Sequence, residues 1–153
     1  MEERQVHVIW CDDIRLEVGN KPSFMGVYIG GLTVPSLPVV IPKLVLYVWL
    51  STPLDKPFKQ IKIRIVRDDK SEIFTVDLGA PEILNLPSRK DLSRSVVMAS
   101  LSIIGLNIPE HCKYLAVFVD TESGTLEGAK LHIDVAQEIT SVAQDQMQQS
   151  LNP

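Results

Sequence analysis

A chain of 153 residues fits one domain and buries about 70% of the surface its unfolded form exposes, so neither a metal nor a disulfide is needed to support a core. At 45% hydrophobic and 22% charged it lies far from the composition of disordered proteins. A net charge of −4 works against general attraction to nucleic acid or to an anionic membrane, since both require clustered cations.

Two cysteines, Cys11 and Cys112, read as reduced thiols in a cytoplasmic protein. Met1 to Arg4 lead straight into an amphipathic run without the apolar segment of a secretory signal. The longest apolar run, Leu44 to Leu50, is well below the roughly 20 residues that span a bilayer.

The first element expected is a strand from Val6 to Val18. It sets Val6, Val8, Trp10, Ile14, Leu16 and Val18 on one face and Gln5, His7, Cys11, Asp13, Arg15 and Glu17 on the other. Asp12 alone breaks the alternation, so if buried it needs an amide, arginine or lysine partner. Gly19-Asn20-Lys21-Pro22 turns the chain, and a second run from Ser23 completes a β-hairpin. Across a loop of two or four residues, Met25, Val27 and Ile29 share the face of Ile14 and Leu16, while Phe24 and Tyr28 join Asp13 and Arg15. Gly26 then lies near Asp13 or Arg15 and leaves room for a carboxylate or guanidinium to fold over the sheet.

The pattern CDDIR-x-E-V-G-x-K-x-S-x-x-G-V-Y, spanning Cys11 to Tyr28, resembles the opening of an uncharacterised family of small bacterial and phage proteins, a domain of unknown function. The likeness continues through Val34 to Pro42 and the strand after it, about the first third of the chain. It implies a compact, intracellular, β-rich domain, with no activity or catalytic residues to transfer.

Beyond Gly30-Gly31, the prolines of Val34 to Pro42 withhold amides from any ladder, so this segment is expected along an edge or between sheets. Lys43 to Leu50 is apolar on both faces and fits a central strand packed from both sides. After a loop from Ser51 to Pro57, Lys59 to Arg67 and Ser71 to Leu78 form a second hairpin around Asp68-Asp69-Lys70. Gly79 to Lys90, with Arg89-Lys90 at its end, is the longest irregular stretch and the place for a functional loop. Ser95 to Ile104 is a further strand, and Cys112 to Val119 is a second central one. Thr125 to Val135 closes the series.

From Ala136 the chain turns glutamine-rich and suits a short helix or tail. The expected fold is therefore all-β: an antiparallel β-sandwich of about eight or nine strands over residues 1–135, with a short C-terminal helix or tail over 136–153.

No set of residues spells out catalysis. His7 and Cys11 share a strand face but stand about 13 Å apart at ~3.3 Å rise per residue. Zinc spacing is missing, and acidic pairs at Asp12-Asp13, Asp68-Asp69 and Asp120-x-Glu122 suit turns as well as calcium. Lys62 and Arg64 have no alternating aromatics to stack bases.

The leading expectation is a non-enzymatic binding or assembly module acting through its surface, with no cofactor, metal, nucleic acid or membrane. A homo-oligomer or a protein is its partner, because an open sandwich has strand edges whose amides need company. Asp12, Asp13, Arg15 and Tyr28 are the candidate ligand-binding residues, and a structural ion pair is the plainer role for the same cluster. The alternative is a metal-dependent or hydrolytic enzyme with a carboxylate site around Asp12 and Asp13.

Overall fold

The computed structural model describes residues 3–81 and 93–136. In chain order the described strands are β1 (Gln5–Cys11), β2 (Asp13–Glu17), β3 (Lys21–Met25), β4 (Gly31–Val34), β5 (Val39–Pro53) and β6 (Ile61–Arg67). They continue with β7 (Glu72–Gly79), β8 (Arg94–Ile108), β9 (Tyr114–Thr121), β10 (Gly124–Glu127) and β11 (Leu131–Val135). One sheet runs β1-β5-β8, a second runs β4-β11-β9-β6-β7 with β10 also on β9, and β2 and β3 form a separate ribbon. Every pairing is antiparallel except that of β11 with β4.

Strict alternation makes the two larger sheets into a sandwich. Ile61, Ile63 and Ile65 of β6 and Leu115, Val117 and Val119 of β9 are fully buried in one core with Leu44, Leu46, Val48 and Leu50 of β5. Burying a side chain of this size is worth about 1.5–3 kcal/mol, so these ten residues dominate the driving force.

Along the β5–β8 ladder the inward set changes phase. Ile41 and Leu106 point inward on one side of Pro42 and Gly105, and Leu44 and Ile103 do so on the other. Gly105 takes φ +66, which an L side chain rarely adopts, and Ile104 at the change is left 70% exposed. Pro42 is tolerated because β1 pairs with β5 only from Val45 to Ser51, so β5 has β8 as its one described neighbour near the proline.

The all-β sandwich agrees with the sequence, and the differences are local. Val6 to Val18 is not one strand: the chain bends at Asp12, so β1 joins the sandwich and β2 leaves it. The hairpin loop is Val18-Gly19-Asn20, an odd number, which reverses the expected parity and sets Phe24 opposite Ile14 and Met25 opposite Asp13. Gly19 and Asn20, at φ +86 and +57, supply that turn. Consequently Leu16, Val18 and Ile29 are almost fully exposed and Val27 is half exposed, whereas a core position was expected for each.

Ser51 to Pro53 and Gly105 to Ile108, expected in loops, extend β5 and β8. Thr125 to Val135 divides at Gly128 into β10 and β11. These breaks raise the strand count above the expected eight or nine. The expected tail or helix beyond Ala136, and most of the irregular stretch toward Lys90, lie outside the described residues.

Candidate interaction surface

All four sequence-predicted site residues, Asp12, Asp13, Arg15 and Tyr28, lie at or beside the acidic junction of β1 and β2. Asp12 sits at the bend between β1 and β2, where its amide donates to the Met25 and Gly26 carbonyls at 3.0 and 3.2 Å. Its carboxylate folds over Gly26, where a Cβ would overlap it, and accepts a hydrogen bond from the Tyr28 hydroxyl. The space foreseen at Gly26 is thus used by Asp12 rather than by Asp13 or Arg15. Asp12 is exposed, so burial does not force its partnership.

Asp13 turns the other way and accepts from Lys43 Nζ on β5 at 2.6 Å. That bond, with the Ile14 amide, holds its carboxyl below the usual carboxylate range. Arg15 is exposed on β2 and adds a minor favourable field. Burial, then the bond to Asp12, pushes the Tyr28 phenol up to about 12. Burial, then the charge of Asp12, also raises the Cys11 thiol, which keeps it in the unreactive protonated form.

The consecutive carboxylates therefore diverge to separate protein partners and do not converge on a common point. Among the described residues no three His, Cys, Asp or Glu side chains gather where they could hold a metal ion. What the junction does is clamp the β2–β3 ribbon against the outer face of the three-stranded sheet, where Phe24 meets Tyr47 edge-on with ring centroids 5.0 Å apart.

A second candidate is a cleft of about 650 Å³ bordered by Arg4, Lys56, Lys59, Glu122 and Ser123. Arg4, which sequence reasoning left unremarked, lines it as a tie. It donates to Thr52, Thr121 and Ser123, to the Lys56 and Pro57 carbonyls and to Glu122, and lies 4.6 Å above the Phe58 ring. Burial alone would raise the Glu122 carboxyl, but Arg4 and the Lys59 amide hold it down to about 2. Such a fully engaged guanidinium has little left for a ligand.

The outer faces of the two sheets differ in kind. On the six-stranded sheet Arg64 bonds both Asp120 oxygens at 2.6 and 3.0 Å and overlies Phe118, while Lys130 pairs with Glu127 and overlies Tyr114. Arg64 and Lys130 thus each have an acidic partner on that face. On the three-stranded sheet the cross-strand rows are His7–Trp49–Met98, Ile9–Tyr47–Ser100 and Cys11–Val45–Ser102.

The ribbon covers one end of that face, leaving Cys11, Val45 and Tyr47 buried. The described residues leave the rest uncovered, with Trp49 47%, Met98 59% and Val96 43% exposed and Arg94, bonded to Ser51, at its border. Lys43 to Leu50 was expected to be packed from both sides, and Trp49 is where that expectation ends. The signal that could have found this surface was Ser95 to Ile108, which lacks any charged residue.

Two sheets around one core, with a ribbon clamped over one outer face, define an all-β sandwich domain. A model described as a family of unknown function (DUF6941) matches residues 7–134, and the chain belongs to that family. No curated protein matches the chain. No described helix is long and apolar enough to cross a membrane.

Proposed function

We propose that the protein is a non-enzymatic binding or assembly module that works through the open part of the three-stranded sheet's outer face. Following the resemblance of its opening to small bacterial and phage proteins, it does so in the bacterial cytoplasm. The observation that carries this reading is the contrast between the two outer faces. The six-stranded sheet carries charged side chains, several of them in ion pairs, whereas Trp49, Met98 and Val96 form a contiguous uncharged patch. Such patches mark interaction sites, and tryptophan at the centre of one is a favoured anchor.

Two buried free thiols suit a reducing compartment. A carboxylate enzyme has less support, because Asp12 and Asp13 are engaged with Tyr28 and Lys43.

The test is the double variant W49K/V96K, assayed by light scattering at micromolar concentration and by recovery of partners from the native host. Both side chains are nearly half exposed and lie outside the core, so melting should change far less than self-association or partner recovery, which is lost. A variant that associates like the wild type, or a wild type that associates with nothing, removes the support for an interaction module.

A further inference from the structure

Among the described residues, three of the four outer edges of the two larger sheets are blunted. β7 carries Glu72 and Asp77 and pairs with β6 through two register shifts. β4 is four residues long and is followed by Pro35. β1 is closed on by the segment after β10, where Gly128 has no room for a Cβ against Val8 and the Trp10 indole N–H donates to the Ala129 carbonyl at 3.1 Å. These are the known ways of keeping a sheet edge from pairing with another chain.

Between its first residue, Arg94, and Pro109 just past its end, β8 carries neither charge nor proline. It pairs with β5 along its whole length, and among the described residues no strand lies on its second edge. From Ser95 to Ile108 it contains no Lys, Arg, Asp, Glu or Pro. Val96, Met98, Ser100, Ser102 and Ile104 are exposed on its outer side.

We infer that β8 pairs antiparallel with β8 of a second copy of this chain about a twofold axis at Leu101, which joins two three-stranded sheets into one continuous sheet. The inference rests on the assembly reading and specifies its partner.

The strand's own pattern selects both partner and register. A twofold pairing must match residues of equal parity so that outer faces stay together. Centred on Leu101, it sets Ser100 opposite Ser102, Ala99 opposite Ile103 and Met98 opposite Ile104, so polar meets polar and apolar meets apolar. With no charge from Ser95 to Ile108, the central segments of two copies meet without repulsion, which is what a self-complementary contact requires. Gly105 at φ +66 ends the regular ladder just past Ile104, which limits the match to this central segment. Beyond the ladder, Val96, Met98 and Trp49 of each copy widen the contact toward the roughly 1,200–2,000 Å² of a specific interface.

Cysteine pairs read the register directly. Directly opposed residues have Cβ atoms about 4.5–5.5 Å apart, within reach of a disulfide, whereas diagonal neighbours at about 7–8 Å are not. Under oxidised glutathione, S100C mixed with S102C should yield a covalent dimer several-fold above the level given by either variant alone. Cys11 and Cys112 are buried and do not compete. Both serines are exposed, so folding is spared.

A protein that sediments as a dimer but gives no preferential cross-link in the mixture overturns the β8 pairing and leaves the assembly reading intact. A monomer that still recovers a host partner through Trp49 and Val96 does the same. A monomer that recovers none overturns both.

Discussion

Asp12 shows how one residue decides where a strand stops. Its amide leaves the β1 ladder for the Met25 and Gly26 carbonyls, and its carboxylate needs the space over Gly26, whose φ of +62 suits glycine. G26A should therefore cost about 1–3 kcal/mol in denaturant unfolding. Removing the carboxylate as well, in D12A/G26A, should cost less than the two single losses added, because the overlap is gone. Additive losses would separate Gly26 from Asp12.

Tyr28 gives the pH counterpart. Its phenol is raised to about 12 when folded against an ordinary value of 10.0, so its contribution to stability is complete below pH 10 and is lost as pH rises toward 12. Phenolate absorbance should show an ionisation step toward pH 12 that Y28F abolishes. A last step that survives Y28F would place the perturbed phenol elsewhere. That Gly26 makes room for a charged side chain was legible in the sequence; that it is Asp12, rather than Asp13 or Arg15, was not, because the choice depends on a loop one residue odd.

At the scale of elements, strands with unbroken alternation were readable and their junctions were not. Ile61 to Ile65 and Leu115 to Val119 alternate, and both lie where the pattern puts them. Val6 to Val18 alternates nearly as well, yet it straddles two sheets, because a period of two reports a strand but not which sheet it joins. Leu16 and Leu46 test that distinction. L46A removes a fully buried side chain and should cost about 2–5 kcal/mol, whereas L16A, at 84% exposure, should stay within about 0.5 kcal/mol. Comparable losses would return the ribbon to the core.

For the whole molecule, the sandwich followed from short alternating strands separated by turns, since such strands bury their apolar faces only by stacking sheets. The interaction surface did not follow, because Trp49 and Tyr47 share a face and the sequence gives no sign that the ribbon covers one and not the other. That half-covered face, and a β8 edge with no described strand beside it, are where the proposed assembly would act.

The most direct measurement is sedimentation velocity of the wild-type chain from micromolar to submillimolar concentration, beside S100K/S102K, which sets like charges directly opposite each other across the β8 pairing. The wild type should shift to a dimer with rising concentration, while the double variant, melting at nearly the same temperature, should remain a monomer with at least tenfold weaker association. A wild type that stays monomeric throughout, or a variant that dimerises equally well, would contradict assembly through this edge.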